Sequence, residues 1–99
     1  MRFLLDVIIP NDPFNRLVSE GKVAATMEKV MGAVKPEAIY FTERQGKRGC
    51  TAIVNISNPS QIPTIAEPFF LAFNAEVHFH CIMSPEELGA SNIEQFKGW

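Results

Sequence analysis

A chain of 99 residues, 46% of them hydrophobic and 20% charged, has material for one core and is too apolar to stay disordered. Nine basic against eleven acidic residues leave a formal charge of −2, which gives no electrostatic footprint for nucleic acid or for an acidic membrane surface. No stretch reaches the roughly 20 apolar residues of a spanning helix. Asp6 interrupts the short apolar run near the start and no small-residue cleavage site follows, so a cytoplasmic protein without a signal peptide is expected. Cys50 and Cys81 are far apart in apolar runs and read as free thiols in a reducing compartment.

In chain order, Phe3 to Ile9 reads as strand one, stopped by Pro10-Asn11-Asp12-Pro13. Asp12 is then expected as a helix N-cap with Pro13 at the first helical position. The helix behind it is expected to run to about Val34, with a kink or break at Gly21, and to end at Lys35-Pro36. Ala38 to Glu43 is strand two, Glu43 to Gly49 a hairpin loop with a basic tip, and Cys50 to Ile56 strand three. A second helix opens at Asn58-Pro59-Ser60-Gln61. Its apolar stripe is Ile62, Ile65, Ala66, Phe69, Phe70 and Phe73, and a kink is expected at Pro68, freeing the carbonyl of Thr64. Ala75 to Met83 alternates as strand four. Ser84-Pro85-Glu86-Glu87 is a capping box for a short helix, and Ser91 to Glu94 opens a last turn carrying Ile93, Phe96 and Trp99.

This β-α-β-β-α-β order is that of ferredoxin-like α+β folds: a four-stranded antiparallel sheet in the order 4-1-3-2, two helices on one face, and short C-terminal helical turns after it. Polarity agrees, because strands one and three are nearly continuous apolar runs, as central strands are, whereas two and four are mixed. Parity sorts Phe3, Leu5, Val7, Ile9, Ile39, Phe41, Ala52, Val54, Ile56, Val77, Phe79 and Cys81 under the helices. The other face holds Leu4, Asp6, Ile8, Tyr40, Thr42, Thr51, Ile53, Asn55, His78, His80 and Ile82. Half of that set is apolar, a large patch for a monomer, so the face needs a cover. A second copy of the same sheet is the cheapest one.

On the opening MRFLLDVIIP, the Pro-Phe-Phe before strand four and the run AEVHFHCIMSPEEL, residues 1–99 as one domain resemble the dimeric α+β barrel superfamily, nearest to its muconolactone isomerase-like and small uncharacterised bacterial members. The resemblance implies a homodimer of face-to-face sheets. It does not imply one activity, since isomerases, cofactor-free monooxygenases, haem enzymes and binding proteins share that fold.

Three candidate sites follow. Asp6, His78 and His80 share the barrel-side face: a carboxylate against an imidazole would make a general base, with Tyr40 stabilising negative charge, as in a cofactor-free isomerase or monooxygenase. The same residues equally make a satisfied polar network at a dimer interface. His78 and His80 at i, i+2, with Glu76 or Asp6, lack an identifiable further ligand, so no metal is expected, and no motif asks for a cofactor. The second candidate is an apolar pocket between helices and sheet lined by Phe14, Phe41, Phe69, Phe70 and Phe79, suited to a small apolar or aromatic molecule; ordinary core packing is the competing reading. The third is the basic hairpin tip of Arg44, Lys47 and Arg48, with Arg48 placed to meet an anionic ligand group. Cys50, by parity under the helices, reads as structural.

Overall fold

The strands form because their apolar residues alternate toward one face, and in the computed structural model, which describes all residues Met1–Trp99, they pair as that alternation requires. β1 (Arg2–Ile9) lies between β3 (Lys47–Asn55) and β4 (Glu76–Cys81), and β2 (Ala38–Arg44) flanks β3. All pairs are antiparallel, and the order β2-β3-β1-β4 reads 4-1-3-2 from the opposite edge. Leu5, Val7, Ile9, Ala52, Val54 and Ile56 are buried on one face. They pack under α1 (Asn11–Ser19), α2 (Val23–Val34) and α3 (Gln61–Phe73), which supply Phe14, Val30, Val34, Ile65, Phe69 and Phe73. The architecture is α+β, a four-stranded antiparallel sheet with four helices, the last being α4 (Pro85–Ala90), followed by a 3₁₀ turn at Ile93–Phe96. No helix is long and apolar enough to cross a membrane.

Several local expectations need correction. Asp12 does not cap α1. It is extended (φ −109°, ψ 135°), as a residue before proline prefers, and its carboxylate accepts no capping hydrogen bond. The first helix, by contrast, breaks at Gly21 as expected, into two helices. The N–H of Lys22 donates to the Leu17 carbonyl at 2.8 Å and that of Gly21 to Val18 at 3.1 Å, a Schellman closure with Gly21 at φ +69°. α3 runs through Pro68 without a break. The hairpin tip is only Gln45-Gly46, both at positive φ (55° and 77°), as a two-residue primed turn requires. Arg44, Lys47 and Arg48 are therefore strand residues rather than loop residues. Phe41 and Cys81, assigned by parity to the covered face, are exposed, because they lie on the two edge strands beyond the margin of the helical layer.

The segment after β4 departs most from a compact fold. The capping box forms, with Glu87 N–H donating to Ser84 Oγ at 3.1 Å and Ser84 N–H to Glu87 Oε1 at 2.9 Å. Yet every residue from Pro85 to Trp99 is exposed. The radius of gyration is 16.7 Å and the extents are 60 × 29 × 18 Å, against roughly 13 Å for a compact chain of this length.

Candidate functional site on the open sheet face

Strand register arranges the uncovered face as rows running across the sheet. One row is polar: Tyr40 on β2 opposes Thr51 on β3, Thr51 opposes Asp6 on β1, and Asp6 opposes His78 on β4. The next row holds Ile53, Leu4 and His80. Three of the four residues singled out for proton chemistry, Tyr40, Asp6 and His78, thus share one line, with His80 one row away. His78, His80 and Tyr40 are exposed, Tyr40 to 70%, while Asp6, Thr51, Ile53 and Leu4 are half-buried by their neighbours.

The partner of Asp6 is not a histidine. Arg44, from the far end of β2, lies flat over Gly49 of β3 and donates from Nε to Asp6 Oδ1 at 2.6 Å and from Nη2 to Thr51 Oγ1 at 2.9 Å. A third donation, from Nη1 to the Glu43 carbonyl at 3.1 Å, fixes the guanidinium plane. Charge-assisted bonds of this kind are about twice as strong as neutral ones, so the Asp6 carboxylate is held by Arg44, and neither His78 nor His80 hydrogen-bonds to it. The expected Asp–His pair is absent for this reason. Gly49 makes the crossing possible: a Cβ there would stand 2.7 Å from Arg44 Cγ and 2.7 Å from the Val7 carbonyl oxygen.

From sequence Arg44 was placed at the tip of a loop, Thr51 on the open face without a role and Gly49 in that loop, because the hairpin was read as a seven-residue loop. The usable signals were Gln45-Gly46 as a two-residue turn, which puts Arg44 in strand alternation with Tyr40 and Thr42, and a glycine inside a strand, which marks a close approach.

On the covered side, Cys50 is buried, and its thiol is pushed up to about 11, first by burial, then by the nearby Asp6 charge, with Arg44 opposing. At neutral pH it is a protonated thiol and no nucleophile. Arg48 is also committed: Nη1 donates to Asn15 Oδ1 at 2.8 Å and its guanidinium lies 4.7 Å from the centre of the Phe14 ring, tying β3 to α1.

The expected phenylalanine pocket does not assemble. Phe14 and Phe69 are core residues, and Phe14 packs on Phe73 at 5.4 Å. Phe79 is half-buried edge-on to Phe3 at 6.4 Å. Phe41 and Phe70 are 57% and 41% exposed on different elements. Dense packing fills the space the pocket needed. A groove of about 720 Å³ lies instead on the solvent side of α2 and α3, between Ala25, Lys29, Pro68 and Leu71. No group of three or more His, Cys, Asp and Glu side chains is arranged to hold a metal.

No family model matches the chain, and no curated protein matches it. Among solved structures it is similar to a de novo designed protein, Ferredog-Diesel, at 14% identity and a TM-score of 0.47, covering 82% of this chain and 85% of that one.

Proposed function

We propose that the chain is a ferredoxin-like domain that works as a homodimer, two open sheet faces meeting as in dimeric α+β barrels, with a small apolar or aromatic molecule held between them. The observation that carries this reading is the composition of the uncovered face. Leu4, Ile53 and Ile82 lie on the sheet face opposite the helices and stay only half-buried there, while Ile8 of the same face is buried. A polar row, Tyr40-Thr51-Asp6-His78, with Arg44 laid over it, runs through the middle.

Two apolar faces pack flush about 10 Å apart when their side chains interdigitate. This polar row resists that, because Arg44 keeps N–H donors and Asp6 a second oxygen that cannot be buried unpaired. The rims therefore meet and the centre stays open, a chamber with apolar walls and a few orienting groups, as small-molecule sites are built. His78, His80 and Tyr40 are the groups free to contact a bound molecule. With Asp6 committed to Arg44, the isomerase or monooxygenase reading loses the carboxylate that was to orient its base, so binding is favoured over proton transfer.

Native mass spectrometry of the gently purified protein tests this. A dimer carrying a discrete extra mass is the expected result. A dimer of bare polypeptide mass that takes up no member of a panel of small aromatic compounds removes the ligand and leaves the pairing. A monomer at all concentrations ends the proposal.

A further inference from the structure

We infer that the β4 edges of two copies pair antiparallel about Phe79, and that His78 and His80 of both copies then hold one divalent transition-metal ion. This goes beyond the pairing of open faces proposed above and stands without it, because the edge is a different surface.

The phase of the ladder says which main-chain groups of β4 are spare. Ile82 N–H donates to the Arg2 carbonyl at 3.1 Å, and the register runs on through Leu4↔His80 and Asp6↔His78. Hydrogen-bonded residues alternate along an antiparallel strand, so His78 and His80 bond to β1, while Val77, Phe79 and Cys81 turn their N–H and C=O groups outward. β4 ends the order β2-β3-β1-β4, so no strand of its own chain takes those groups. Nor is the edge defended: residues 76–82 hold no lysine, arginine or proline, and the register with β1 has no bulge.

The same stretch selects a second copy of itself as the occupant. Val77-His78-Phe79-His80-Cys81 reads almost alike in both directions, so a two-fold axis at Phe79 sets like against like. Phe79 is the midpoint of residues 76–82 and carries spare groups, so this pairing uses the whole edge in the correct phase. It opposes Phe79 to Phe79, Val77 to Cys81 and Glu76 to Ile82, so the one acidic residue of β4 meets no like charge. On the open face it opposes His78 to His80 twice, at non-hydrogen-bonded positions, where facing Cα atoms are only about 4.5 Å apart. Two imidazoles from each copy then stand about 5 Å apart across the strands and about 7 Å apart along them. From those corners ring nitrogens can converge on one ion at about 2.0–2.1 Å, and a nitrogen set of this kind suits zinc. One chain holds no group of three or more such ligands, so the site is incomplete without the second copy. Both histidines are exposed, and Asp6 is engaged by Arg44 instead of by them, which leaves their rings available.

The test strips the chain with a chelator and titrates it with Zn²⁺, with Mg²⁺ as the control. Mass is followed by sedimentation and uptake by calorimetry, in the native sequence and in Ile53→Lys, which keeps face pairing out of the reading. Zn²⁺ but not Mg²⁺ should double the mass of the metal-free form, saturate at one ion per two chains, and be reversed by chelator. His78→Ala and His80→Ala should each weaken uptake about tenfold or more, since losing even a hydrogen-bond partner of a metal ligand costs about 10–100-fold. Val77→Cys checks the register, because position 77 then faces Cys81 of the second copy at about 5.5 Å between Cα atoms, within the span of a disulfide. With Zn²⁺ and oxidised glutathione it should give a covalent dimer joined between those two positions. No uptake of Zn²⁺, saturation at one ion per chain, or binding without a change of mass overturns the inference. So does uptake that neither histidine variant weakens, or a Val77→Cys chain that stays unlinked or links only through Cys81 to Cys81. Any of these leaves the face pairing standing wherever the metal-free native chain is a dimer and Ile53→Lys is not.

Discussion

Arg44 crosses the sheet over a residue with no side chain, and that gives Gly49 a measurable burden. Of the two atoms a Cβ would meet at 2.7 Å, Arg44 Cγ belongs to a long side chain that can swing away, whereas the Val7 carbonyl oxygen is fixed in the central ladder. Gly49→Ala should therefore cost about 2 kcal/mol in urea unfolding, in the range of overpacked interiors. Most of that cost should persist in an Arg44→Ala background. Full relief by Arg44→Ala would mean the backbone contact is not the obstacle. Cys50 carries a pH signature. Its raised folded-state pKa means the native chain holds the thiol proton more tightly than the unfolded chain does. The contribution is complete below the ordinary value of 9.0 and is lost as pH rises toward about 11. Urea midpoints should fall between pH 8 and pH 11 more steeply in the native sequence than in Cys50→Ala, and equal slopes would remove the effect. At pH 8 a thiol reagent should label Cys81 alone in the folded chain, since Cys81 is exposed and Cys50 is buried.

Among elements, the break between α1 and α2 rests on one left-handed residue. Gly21 at φ +69° has open space around its Cβ position, so Gly21→Ala tests conformation without crowding. It should destabilise the chain by about 1 kcal/mol, with Gly21→Asn closer to neutral because asparagine tolerates that region. Equal effects of the two substitutions would point away from the backbone. This boundary was legible in the sequence, since Gly21 separates the two apolar sets, and so were the four strands, the α4 capping box and the central positions of β1 and β3. The hairpin was legible but the shortness of its turn was not, because Gln45 is a non-glycine residue at positive φ and its neighbours are all charged or small. Composition marks such a stretch as a loop, and only the pairing of Arg44 with Lys47 shows that the strands continue to the turn.

For the whole molecule, one face of the sheet carries no helix, and the proposed pairing is tested there. If the faces pair, a charge at Ile53, in the apolar row beside the polar one, should separate the subunits without disturbing the core on the other side of the sheet. Ile53→Lys is expected to give a folded chain of half the mass, with unchanged far-ultraviolet circular dichroism. A variant that remains dimeric would remove the sheet face from the interface. The candidate site was half legible at this scale: parity alone placed Tyr40, Asp6, His78 and His80 on one face, and register then set the first three in one row.

What the sequence determined by itself was periodic: which residues alternate, where proline and glycine punctuate, and hence the α+β order and the two faces of the sheet. Those signals are local, fixed by the two-residue repeat of a strand and the 3.6-residue repeat of a helix. The tertiary structure decided the partnerships. Asp6 bonds Arg44 rather than a histidine because a residue 38 positions away can lie across a glycine. Phe14 and Phe69 fill the core while Phe41 and Phe70 stay outside it: the helical layer does not reach Phe41 on the edge strand, and Phe70 lies off the buried stripe of α3 made by Ile65, Ala66, Phe69 and Phe73. Such contacts depend on distances between elements, and no period in the chain encodes them.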